Sequence, residues 1–163
     1  LLLSVPVKAN GTIDDKELNV LNGIKAWMDI NKSSIFGTHP WKVYGEGPTA
    51  AAANPINSQG FNEGTNYSSK DIRFAERNDT LFATIMAWPS DTKYTIGSLA
   101  ASSPYFSGKV KSVKLLGYGP LSYTMEKDGL AVQLPATHPN AISAVLAITF
   151  AKNKTNQKNK LKK

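Results

Sequence analysis

Cysteine is absent from the 163 residues, which excludes disulfides and thiolate metal sites and leaves the compartment open. No run of about eighteen apolar residues occurs, so no helix is expected to span a membrane. Arginine is limited to Arg73 and Arg77, neither in a nucleic-acid reading motif. Histidine is limited to His39 and His138, each followed by proline. No carboxylate stands at ligand spacing from either, so they read as loop histidines and no metal site is expected. The G-x-S-x-G nucleophile signature is missing. Gly45-Glu46-Gly47 neither follows a predicted strand nor opens a predicted helix, so no phosphate loop is supported. No cofactor is expected.

What is present is basic, with a formal charge of +7. The excess is local: Ala151 to Lys163 holds six lysines and no acid, leaving thirteen basic against twelve acidic residues elsewhere. That distribution predicts a solvated, disordered tail over 151–163 and no nucleic-acid partner. Asparagine sequons occur at Asn10, Asn31, Asn66, Asn78 and Asn153, a pattern that a chain rich in Asn, Ser and Thr produces by chance.

Hydrophobic periodicity divides the rest into three zones. In residues 1–37 the run Leu1 to Val5, stopped by Pro6, reads as a buried parallel strand. A chain that begins this way, without Met, reads as cut from something longer. Asn10-Gly11 supplies a turn, and Thr12, Asp14 and Asp15 offer capping oxygens for a helix from Asp14 to Asn31. On that helix Val20, Leu21, Ile24, Trp27 and Met28 share one arc, predicted to be buried. Strand then helix is half of a βαβ unit, and half a unit cannot make a sheet. Residues 38–70, with Gly45, Gly47, Pro48, Pro55, Gly60 and Gly64, show no period and are read as a connector. Residues 71–150 read as all β. Strands are expected at Ile72–Glu76 and Thr80–Trp88 around Asn78-Asp79, and at Val110–Leu116. Ser122–Glu126 and Leu130–Leu134 flank Asp128-Gly129, and a closing strand alternates through Ala144, Leu146, Ile148 and Phe150. The fold class is therefore mainly β, an antiparallel sandwich behind a strand–helix segment.

Glycoside hydrolysis needs two carboxylates across a cleft, one kept protonated by burial. Glu46, Glu63, Asp71 and Glu76 are the available acids, and solvated carboxylates in connectors are the default reading of them. Trp27, Trp41 and Trp88 could stack on sugar rings. Each has a plainer role: Trp27 on the helix's apolar face, Trp41 in an inter-domain contact, Trp88 closing the sandwich core.

Against this background the wording of the chain resembles glycoside hydrolase family 29, the α-L-fucosidases. Leu1-Leu2-Leu3-Ser4-Val5-Pro6 with Asn10-Gly11-Thr12-Ile13 resembles the last strand and loop of that family's (β/α)8 barrel. Ala26 to Asn31 and Ser34-Ile35-Phe36-Gly37-Thr38-His39-Pro40-Trp41 are similar to its final helix and exit. Asp71-Ile72-Arg73-Phe74, Asn78 to Ala83 and Ala87-Trp88-Pro89 resemble the first strands of its C-terminal sandwich. Val113 to Gly117 and Gly129 to Pro135 resemble later ones. Ser4-Val5-Pro6 departs from the Asn-aliphatic-Gly common in relatives, and Asp14 stands where many have Pro.

The resemblance implies a retaining enzyme that removes terminal α-L-fucose, with an aspartate nucleophile and a separate acid/base upstream of Leu1. No catalytic residue can be carried onto this chain, which is expected to be inactive alone and to meet fucosylated glycans only through a barrel outside it. Its own role is expected to be bracing that barrel, or alternatively serving as a carbohydrate-binding module. Exposed or buried placement of the aromatics separates the two. A homodimer through the orphan strand and helix, and a periplasmic or extracellular location in a bacterium, complete the expectations.

Overall fold

Asp14 opens the first helix: its carboxylate accepts from the backbone N–H of Lys16 at 2.8 Å and of Glu17 at 3.1 Å. Two of the donors that a helix start leaves bare are thereby satisfied. The structure, a computed structural model, describes residues 4–51 and 66–151. Within them α1 runs Asp15–Asn31, and a 3₁₀ turn, Lys32–Ser34, leads off its end. The Asn10-Gly11 turn forms as the residues require, with Asn10 Oδ1 accepting the Thr12 N–H at 3.1 Å. The strand expected at Leu1–Val5 falls mostly outside the described residues, which begin at Ser4; Ser4 and Val5 have no regular structure.

The remaining elements are β1 His39–Glu46, the short helix α2 Pro48–Ala51, β2 Ile72–Arg77, β3 Thr80–Ile85 and β4 Lys93–Ile96. After these come β5 Val110–Leu115, β6 Gly119–Pro120, β7 Tyr123–Glu126, β8 Gly129–Gln133 and β9 Ala144–Phe150. One sheet has the order β1-β2-β3-β9-β5-β6 and the other β4-β8-β7, every pairing antiparallel. Alternation builds the space between them. Leu81, Val113, Leu115, Leu146 and Ile148 from the large sheet meet Ile96, Leu130 and Val132 from the small one, all essentially without exposure. The architecture is the expected β-sandwich.

Four local readings change. Residues 38–70 are not devoid of regular structure: β1 joins the large sheet beside β2, and α2 follows it. Glycine and a register shift between Pro40 and Gly45 break the period-2 signal that would have marked the strand. Trp41, read as an inter-domain plug, belongs to the core, 8% exposed and edge-on to Phe74 at 5.1 Å. β3 stops at Ile85, short of Trp88. Gly129 belongs to β8, opposite Glu126, so the hairpin loop is Lys127-Asp128.

The apolar face of α1 is buried only at its C-terminal end. Trp27 Nε1 donates to Ser143 Oγ at 2.8 Å, and Asn31, fully buried, donates through Nδ2 to the Trp27 carbonyl at 3.0 Å. Ile30 presses on the turn after β5 at Gly117, φ +80°, where a Cβ would meet Ile30 Cγ2 at 2.7 Å. One turn earlier the same face overhangs the sandwich, leaving Ile24 42% and Val20 58% exposed. The sandwich ends before the helix does.

Candidate functional site

Of the four acids singled out in the sequence, the three among the described residues are drawn into structure to different degrees. Glu46, at the end of β1, reaches across to the small sheet. Its Oε1 accepts the Gly97 N–H at 3.0 Å and its Oε2 the Ser98 N–H at 2.6 Å, capping the 3₁₀ turn Gly97–Leu99 that follows β4. Glu76 lies beside His39, its cross-strand partner, with Oε1 3.5 Å from Nδ1 at the surface. Glu63 lies outside the described residues. Replacing Glu46 with alanine should cost about 1–2 kcal/mol, the scale of a lost helix cap. Hydrogen exchange at the Gly97 and Ser98 amides should rise with it; unchanged protection there would show that the clasp is not formed.

Asp71 is the most committed. It is 1% exposed, and its carboxylate accepts four hydrogen bonds. Thr49 donates from N–H at 2.8 Å and Oγ1–H at 2.7 Å; Ser68 donates from N–H and Oγ–H, both at 2.9 Å. Burial pushes this carboxyl upward, but the four donors outweigh it and hold the group well below its ordinary 3.8. Gly47 makes the arrangement possible. Its φ is +105°, and a Cβ there would collide with the Lys70 carbonyl oxygen. Gly45-Glu46-Gly47 is therefore the close approach of β1 to β2, not a phosphate cradle.

Tyr94 completes the cluster, donating to the Ser69 carbonyl at 2.6 Å. Burial, reinforced by the charges of Glu46 and Asp71, pushes its hydroxyl far up. Arg73 donates to Thr49 Oγ1 at 2.5 Å and lies between the Tyr44 and Tyr67 rings, 5.4 and 5.3 Å from their centroids. A general acid needs a raised carboxyl pKa and a free oxygen facing a cleft. Asp71 has neither, and the cluster ties α2, β2 and both sheets together. Thr49, Ser68 and Tyr94 carried no signal in the sequence, because their partners come from distant segments.

The histidines and tryptophans are arranged differently. Trp88 and His138, fifty residues apart in the text, stack with ring centroids 3.9 Å apart and planes 4° from parallel. The turn at Asn140 serves both partly buried indoles: its carbonyl accepts from Trp88 Nε1 at 2.8 Å, and its Oδ1 accepts the Ser143 N–H at 3.0 Å, fixing the residue that binds Trp27. Of the sequon asparagines, Asn31 is buried while Asn10, Asn66 and Asn78 are on the surface or in turns, and Asn153 lies outside the described residues.

Comparison with known proteins places these features in context. The chain matches the family described as the alpha-L-fucosidase C-terminal domain over residues 65–152. It is 24% identical over 144 residues to an alpha-L-fucosidase of Branchiostoma floridae, covering 87% of this chain and 26% of that protein. The tissue alpha-L-fucosidase of Homo sapiens is 24% identical over 150 residues, 91% of this chain and 27% of that protein. Among solved structures, the alpha-fucosidase of Thermotoga maritima in complex with a mechanism-based inhibitor superposes with a TM-score of 0.63 at 22% identity. That match covers 91% of this chain and 30% of that one. The chain thus spans about a quarter to three-tenths of the length of the relatives it matches.

Proposed function

The chain belongs to the family of alpha-L-fucosidase C-terminal domains, and on that footing we propose that it braces the catalytic barrel of a retaining enzyme releasing terminal α-L-fucose from glycans. The observation that carries this reading is the employment of Glu46 and Asp71 as clasps of the sandwich. Retaining hydrolysis uses two carboxyls about 5–5.5 Å apart with an open sugar site between them. An acid whose oxygens are already taken by backbone and hydroxyl donors does not fill either role. The fucosylated glycan is met through the barrel, and a periplasmic or extracellular enzyme fits that substrate. No helix among the described residues is long and apolar enough to cross a membrane.

The expected result is that the purified chain does not hydrolyse an aryl α-L-fucoside, because positioning of both carboxyls is missing. Turnover that co-purifies with the chain through successive columns would overturn the reading.

The exposed stripe of α1 supports a further element. Taken alone, the chain pairs with a second copy through Val20 and Ile24, whose burial is worth about 1.5–3 kcal/mol for each large aliphatic side chain. A Val20→Lys, Ile24→Glu variant should shift light scattering from dimer to monomer. An unmodified chain that is already monomeric at high concentration rules the pairing out.

A further inference from the structure

We propose that the hollow at one end of the sandwich, between the β3–β4 loop and the end of β8, is a binding subsite for a neutral pyranose ring. It measures about 310 Å³ and is lined by Trp88, Ser90, Asp91, Thr92, Pro135 and His138 among others. That size stands at the small end of ligand pockets, suited to one ring. Loops at the ends of a sandwich are also where this architecture carries recognition.

The chemistry of the lining selects the ligand. Trp88 is fixed by its bond to the Asn140 carbonyl, so it offers no donor and serves as a rigid backing. His138 lies flat on it, is exposed and lines the hollow. Ser90, Asp91 and Thr92 are exposed, and their side chains have no partner among the described residues. One carboxylate, two hydroxyls and a flat ring stand together with no lysine or arginine in the lining. A phosphate or carboxylate ligand would meet Asp91 without a guanidinium or ammonium to offset it. A purely apolar ligand would strip water from Asp91 and return nothing. An uncharged polyol with one C–H face answers both constraints: two adjacent hydroxyls donate to Asp91, and the C–H face packs on the imidazole backed by indole. This site does not depend on the bracing role, since Ser143, which binds Trp27 of α1, is not among its lining residues.

Methyl β-D-galactopyranoside is the probe, because its C3, C4 and C5 hydrogens share one face. Titrating it into the ¹⁵N-labelled chain through the millimolar range should give saturable shifts at the Ser90, Asp91, Thr92 and His138 amides and at the Trp88 indole N–H. The α1 amides should stay still. Asp91→Ala, a surface change that leaves the fold intact, should weaken binding about ten-fold, the worth of one charge-assisted hydrogen bond. Absence of saturable shifts, equal affinity in Asp91→Ala, or tighter binding of inorganic phosphate at the same amides would each overturn the proposal.

Discussion

Asp71→Ala is expected to lower the thermal midpoint by at least about 6 °C. The substitution takes the shared acceptor from the partly buried N–H and hydroxyl donors of Thr49 and Ser68. Unmade bonds at buried polar groups cost about 1–3 kcal/mol each, so a total of about 3–5 kcal/mol is expected after relaxation. For a chain of 163 residues each kcal/mol is worth about 2–4 °C. The same carboxylate sets a pH dependence. Its folded pKa is depressed below the ordinary 3.8, so its contribution is complete above about 3.8 and is lost as the pH falls from there towards the folded value. Asp71→Asn, which cannot ionise, should flatten the acid limb of a stability-against-pH curve in that window. Parallel acid limbs for the two proteins would show that another group is responsible.

Trp41→Ala and Trp27→Ala should differ by several-fold in cost. Trp41 sits in the core against Phe74, and truncating it should remove about 3–5 kcal/mol, the range for a buried aromatic. Trp27 is only partly buried and contributes one indole N–H bond to Ser143, so its loss should cost about 1–2 kcal/mol. The character of the two changes should also differ. Trp41→Ala lowers the whole denaturation midpoint, whereas Trp27→Ala releases α1 and raises amide exchange there while the sheets remain protected. Equal global losses would mean that α1 and the sandwich form one cooperative unit.

The strands that could be read from the sequence are those with a clean alternation and a turn at each end. β2 and β3 around Asn78-Asp79, and β9 with Ala144, Leu146 and Ile148 on one face, are of this kind. β1 escaped because Gly45 and the register shift interrupt its period, although Trp41 and Val43 do face the core. β4 escaped because four residues are too few to show a pattern. Helix α1 was correctly placed by its cap, yet its wheel could not say how far along the helix the cover extends. The polar clasp was invisible for a different reason. Glu46 and its two acceptor-seeking amides are about fifty residues apart, and hydrogen-bond partners at that separation leave no local trace. The Trp88–His138 stack was hidden in the same way, since Trp88-Pro89 reads as a strand end closing the core and His138-Pro139 as a loop.

The position of β9 has a consequence for how the protein is made. This strand, the last described element of the chain, lies in the middle of the large sheet, hydrogen-bonded to β3 on one side and β5 on the other. On a ribosome, β1 to β3 emerge early but keep one bare edge until Phe150 clears the exit tunnel. Nothing synthesised before Ala144 can fill that gap, so the sheet closes late and through contacts distant in sequence, the slow kind. A premature stop in the 140–143 turn would leave two unprotected strand edges facing each other, a form suited to aggregation and to capture by chaperones.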